Sequence, residues 1–96
     1  MARMFRIHTQ YTEEYQRNAE QIVSTFFDSF NIVRGTGYWK GQREESMTIE
    51  IIDSEPYDSF VAEATVRVLV NNIKEVNEQE AVYLTITELQ AADLIR

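Results

Sequence analysis

The residues best suited to chemistry in this chain are cations set beside aromatic rings. Between Ser29 and Arg43 no acidic residue occurs, yet Arg34 and Lys40 share one face of a strand pattern and Arg43 follows just beyond it. Tyr38 and Trp39 lie between those first two cations. The first twelve residues are also free of acids and carry Arg3, Arg6 and His8. A chain of net charge -7, with 16 acidic against 9 basic side chains, has therefore kept a basic region. Cations beside ring faces suit an anionic or nucleotide-like small molecule, through charge-assisted hydrogen bonds and stacking. The candidate ligand contacts are Arg34, Lys40 and Arg43 for charge, Tyr38 and Trp39 for stacking, and His8 or Gln42 for hydrogen bonding. A plainer account has the same cations paired across a sheet with Glu44, Glu45, Glu50 or Glu88.

Other chemistries find less support. His8 is the only histidine and there is no cysteine, so thiolate zinc sites, histidine pairs, disulfides and cysteine nucleophiles all drop out. None of Ser24, Ser29, Ser46, Ser54 and Ser59 sits in a nucleophile elbow. Gly35-Thr36-Gly37 has Lys40 where a dinucleotide fingerprint needs its third glycine, and the segment leads into a hairpin rather than a helix. Spaced by two along a strand, these glycines instead leave one face bare for a close approach. A non-enzymatic binding protein without metal or cofactor is the expectation. The acidic balance argues against nucleic acid and anionic membrane as partners. No apolar run approaches the ~20 residues of a spanning helix. No signal segment precedes the first predicted strand, and the absence of cysteine suits a reducing cytoplasm.

The elements that must position these residues follow from periodicity. Hydrophobic content of 44% and charged content of 26% belong to an ordinary globular chain, and 96 residues make a single domain over 1–96. Met4 to Thr9 alternates as a strand, with Phe5 and Ile7 on one face. Thr12 is a predicted N-cap ahead of a helix whose apolar stripe runs Tyr15, Ala19, Ile22, Val23, Phe26, Phe27 and Phe30. A strand over 31–40, a polar turn over 42–46 and a strand through Met47, Ile49 and Ile51 come next. The residues 53–56 open a second helix over 57–73, with Phe60, Val61, Ala64, Val68 and Leu69 on its predicted inner side. A fourth strand covers 81–87, with Val82, Leu84 and Ile86 inward. This β-α-β-β-α-β order is the ferredoxin-like arrangement, α+β, with two helices on one face of a four-stranded antiparallel sheet. The first strand is then central, the second lies at an edge, and the third lies between them. Function is expected on the other, open face. Trp39 has two readings, packed over Gly35 or Gly37 in the core or anchoring a subunit interface. With Leu89, Leu94 and Ile95 in the tail, it points to a homo-oligomer, the tail at a subunit interface.

The stretch Gly37-Tyr38-Trp39-Lys40-Gly41-Gln42-Arg43-Glu44-Glu45, running into Met47 to Ile52, resembles the CutA and PII-like group. That resemblance implies a trimer with ligand sites in clefts between subunits, and a role in sensing or sequestering small molecules, often nucleotides. The alanine-cysteine pair of CutA-type proteins and the long loop of classical PII proteins are missing. The hairpin also resembles small phage proteins, which implies sequestration of a host signalling nucleotide. The alternative function is an acidic protein-interaction module, such as a phage-encoded inhibitor of a host protein, working through exposed carboxylates such as Glu20, Asp58 and Glu63.

Overall fold

The computed structural model describes residues 2–54 and 59–95. In chain order the elements are β1 (Arg3–Gln10), α1 (Glu13–Phe26), β2 (Asn31–Trp39), β3 (Gln42–Asp53), α2 (Ser59–Val76) and β4 (Tyr83–Glu88). The four strands form one antiparallel sheet in the order β2-β3-β1-β4, the ferredoxin-like topology. The register sets Phe5 opposite Ile51 and Ile7 opposite Ile49, so one face is a continuous apolar surface. Both helices cover that face. Ala19 and Val23 of α1 and Val66, Leu69 and Ile73 of α2 join Phe5, Ile7, Met47, Ile49 and Ile51 in the buried core.

Thr12 caps α1 as its position predicts: its hydroxyl accepts the Tyr15 backbone N–H at 3.0 Å, and Glu13 and Glu14 occupy the first turn. The helix stops at Phe26, because Phe27 is already extended (φ -133°, ψ 132°). The predicted stripe therefore breaks. Phe26 is exposed, whereas Phe27 and Phe30 reach the core edge from the connection that follows.

Two other expectations are corrected. The hairpin turn is not at 42–46: Trp39 pairs with Gln42, and the chain reverses at Lys40 and Gly41 with φ of 50° and 76°. That is a two-residue turn of the kind that matches strand twist, and the polar run after it is strand. On α2, Leu69 is buried as predicted but Phe60, Val61, Ala64 and Val68 face outward, Phe60 at 84% exposure. The helix also runs on to Val76. Of the expected helix start over 53–56, Asp53 is instead the last residue of β3, paired with Arg3, and 55–56 lie outside the described residues. The fourth strand begins at Tyr83, and Val82 packs on the core just ahead of the ladder.

Candidate functional site

One residue of parity in β2 decides where the candidate contacts go. Ile32 pairs with Ile49 and packs on the core, while its neighbour Val33 is half exposed. Val33, Gly35, Gly37 and Trp39 therefore look out from the open face, and Ile32, Arg34 and Thr36 lie on the side the helices cover. Trp39 is not a core residue. It stands on the open side of the hairpin, partly buried, with Ser46 lying over the bare glycines: a Cβ at Gly37 would meet Ser46 Cβ at 3.4 Å. Ser46 is the cross-strand neighbour of Gly35 and stands at ordinary contact distance from both glycines, so nothing among the described residues approaches them more closely than a side chain there would allow.

A cleft of about 370 Å³ opens where the β2–β3 hairpin meets the end of β1 and the loop between α2 and β4. Four aromatic side chains line it, Tyr15, Tyr38, Trp39 and Tyr83. Three carboxylates do as well, Glu44, Glu78 and Glu80. His8, Thr9, Gln10, Ser46 and Gln79 supply further polar groups. His8 stands on the open face of β1 between two hydroxyls, with Nε2 2.9 Å from Thr85 Oγ1 and Nδ1 3.4 Å from Thr48 Oγ1. Thr9, on the core side, is 7% exposed, and its Oγ1 has no hydrogen-bond partner among the described residues.

The loop wall is built from α2. Asn77 is buried at its end, accepting from Asn18 at 2.9 Å and donating to the Tyr15 carbonyl at 3.2 Å. Glu78 then takes a left-handed conformation (φ 51°), and the Gln79 N–H returns to the Lys74 carbonyl at 2.9 Å. Glu80 reaches across to the hairpin tip. Its carboxylate accepts from Lys40 Nζ at 2.8 Å and from the Trp39 indole N–H at 3.3 Å. The Lys40 ammonium, with help from that indole N–H, holds the Glu80 carboxyl below its ordinary range.

Of the seven candidate contacts, the cleft brings together His8, Tyr38 and Trp39. Lys40 braces the rim through Glu80. Gln42 and Arg43 begin β3 beside the turn, exposed and outside the lining. Arg34 lies elsewhere, its guanidinium 3.3 Å from the centre of the Tyr11 ring. The plainer pairing account holds for Arg6, which meets Glu50 at 3.0 Å, and a glutamate outside that account, Glu80, takes Lys40. The basic region is thus real in sequence but does not converge on one point. Sequence reasoning missed Tyr15, Glu44 and the 78–80 loop as site components; the run Glu78-Gln79-Glu80 after a helix was the one local signal for the loop. Among the described residues no group of three His, Asp or Glu side chains is placed to hold a metal, and no helix is long and apolar enough to cross a membrane.

No protein-family model matches the chain, and no curated protein sequence matches it. Solved structures do. The chain is similar to a phage SAM lyase in complex with S-methyl-5'-thioadenosine, at 26% identity over 91% of this chain and 81% of that one, with a TM-score of 0.66. A phage SAM lyase in the apo state gives 24% identity, 88% and 78% coverage, and a TM-score of 0.71. CPII, a nitrogen regulatory PII-like protein from Thiomonas intermedia K12 bound to ADP, AMP and bicarbonate, gives 12% identity, 98% and 96% coverage and 0.65. CutA from Synechococcus elongatus PCC7942 complexed with Bis-Tris gives 9%, 97% and 84%, and 0.64. The resemblance to CutA, PII-like and phage proteins is therefore present in the fold as well as in the hairpin sequence. The expectation of a non-enzymatic chain is overturned: a phage lyase is similar to it along most of both chains, at an identity above the other two proteins. The sequence reading looked for nucleophiles, metals and paired acids, and this chain shows no motif of those kinds.

Proposed function

We propose that this chain binds S-adenosylmethionine, or a closely related sulfonium nucleoside, in the cleft beside Trp39 and cleaves it as a lyase. The observation that carries the reading is the 26% identity, spread over 91% of the chain, to a SAM lyase caught with S-methyl-5'-thioadenosine. That thioether is S-adenosylmethionine without its amino-acid chain, so the bond broken is the one from sulfur to that chain. The sulfonium sulfur leaves with the bonding pair and becomes neutral, while the carbon it leaves gains its new bond from the substrate's own carboxylate oxygen, so that the amino-acid chain departs as a lactone and no outside nucleophile is consumed.

The cleft's composition supports this chemistry. Aromatic faces suit an adenine ring and also a cation above them, and Glu44 and Glu78 give the cleft a negative wall for a positive sulfur, while the Glu80 charge is offset by Lys40. Those carboxylates favour the charged substrate over the neutral thioether, so they serve capture and product release. Acceleration has to come from interactions stronger in the transition state than in the ground state. The apolar ring walls fit that role, because a charge being lost is less penalised by poor solvation than a charge retained. His8, Tyr38 and Trp39 are assigned as contacts, and Lys40 as a brace. Arg34, Gln42 and Arg43 are not among the residues that line the cleft, whereas Glu44, Glu78 and Glu80 are, so the nucleotide-like expectation narrows to a nucleoside without phosphate.

The working unit is a homo-oligomer, because the open sheet face carries exposed Val33, Ile52 and Tyr83, and a trimer is favoured because the resemblance to CutA and PII-like proteins implies one. Incubation with S-adenosylmethionine, followed by mass spectrometry, tests the activity. S-methyl-5'-thioadenosine growing with time and with protein concentration is the expected result. Substrate unchanged beyond its spontaneous decay overturns the reading.

A further inference from the structure

Two elements far apart in sequence meet at the cleft rim, and one carboxylate joins them. The hairpin tip is short and closed: Trp39 and Gln42 form its last ladder pair, and Lys40 and Gly41 make the reversal. The opposing loop is anchored at its root by the buried Asn77 amide, which ties α2 to α1. Glu80 leaves that fixed root and takes both the Trp39 indole N–H and the Lys40 ammonium. The Lys40 nitrogen in turn stands 5.7 Å from the centre of the Trp39 ring system. Lys40 and Glu80 are each about two-thirds exposed (66% and 65%), so the pair adds little to folding stability. Its consequence is geometric. An indole at a hairpin tip has rotamer freedom, and a hydrogen bond to its N–H from a loop anchored at Asn77 restricts that freedom.

We propose that Glu80 is a positioning residue that holds Trp39 as a wall of the cleft, so that the ring is already placed when the nucleoside arrives. The ligand side of this proposal rests on the sulfonium-nucleoside reading above. The positioning itself does not, and the test separates the two.

Trp39 is the only tryptophan, so emission and acrylamide quenching report on this ring alone. Glu80→Ala removes both contacts, whereas Glu80→Gln keeps an acceptor for the indole and discards the charge facing Lys40. In the unliganded protein, Glu80→Ala is expected to shift Trp39 emission to the red and to raise its quenching, with far-UV circular dichroism unchanged. Glu80→Gln should lie near the wild type. With S-adenosylmethionine, Glu80→Ala should raise KM roughly three- to tenfold, the effect of losing one orienting hydrogen bond, while kcat changes less than about twofold. Glu80→Gln should recover most of that loss. Wild-type emission and quenching in Glu80→Ala overturn the positioning role. A shifted spectrum with unchanged KM shows that the ring is held but not for this ligand, and overturns its use in the cleft. If the wild type itself leaves S-adenosylmethionine intact, the functional reading falls, and the spectra still decide whether Glu80 holds Trp39.

Discussion

At the scale of single residues, Thr9 is the clearest case of a polar group whose role the packing leaves open. It continues the inward line of Phe5 and Ile7, is 7% exposed, and its hydroxyl finds no partner among the described residues. Burying a hydroxyl unpaired is costly, and valine has nearly the same shape. Thr9→Val should therefore stabilise the fold by about 1 kcal/mol, a rise in Tm of roughly 4 to 8 °C for a domain of this size. A fall in Tm on calorimetry would mean that the hydroxyl has a partner, such as an ordered water. Residue-level reading of the sequence succeeded where the partner lies on a neighbouring strand. Arg6 meets Glu50, a glutamate that simple cross-strand pairing names, and its register position is opposite that very residue. It failed for Lys40, whose partner Glu80 lies on a loop 40 positions away and meets it only because α2 returns that loop to the hairpin tip. It failed likewise for Arg34, held on the Tyr11 ring after β1. No periodicity carries such information.

At the scale of elements, the sheet and α1 were legible because each has one dominant pattern. The alternation of Phe5 and Ile7, and of Met47, Ile49 and Ile51, fits a single buried face, and Thr12 marks the start of α1 without a competitor. α2 was not, because apolar residues occupy more than one of its sides. Phe60, Val61 and Val68 make a plausible stripe, and so do Ala62, Val66, Leu69 and Ile73; contact with β1 and α1 selects the second. The entry of α2 is then held by charge. Arg3 of β1 donates to Glu63 at 2.8 Å and Arg67 donates to its other oxygen at 3.2 Å. The Arg3 hydrogen bond, followed by that of Arg67, holds the Glu63 carboxyl below its ordinary range. A carboxyl lowered in the folded state contributes stability at pH above its ordinary value, and that contribution is lost as pH falls through the lowered one. Glu63→Gln should therefore unfold at lower urea concentration than the wild type at neutral pH. The gap should close as pH drops below the usual carboxylate range. A gap that is constant across pH would assign the effect to packing rather than to the ion pairs.

At the scale of the whole molecule, two of the apolar surfaces that the described residues leave uncovered would make different assemblies. The first is the open sheet face, where Val33 and Ile52 are 52% and 51% exposed and Tyr83 is 68% exposed. The second is the outer side of α2, where Phe60, Val61 and Val68 stand at 84%, 59% and 53%. The cleft opens beside the first surface, since Trp39, His8 and Tyr83 belong to both. Burial of the sheet face against another copy would deepen the cleft and drive water from it, whereas burial of α2 would leave it as open as in the single chain. On the sulfonium-nucleoside reading proposed above, a site sheltered from water favours the sheet face. Val33→Glu places a charge on that face, on the edge strand β2, without touching the core or the cleft lining, and burying it unpaired costs several kcal/mol, enough to split a modest interface. Light scattering after size exclusion should show Val33→Glu as a monomer, while Phe60→Ser keeps the wild-type mass. The reverse outcome would place the contact on α2. In that arrangement each cleft would have to work alone, and the wall that Glu80 builds from Trp39 would be the main shelter the ligand finds.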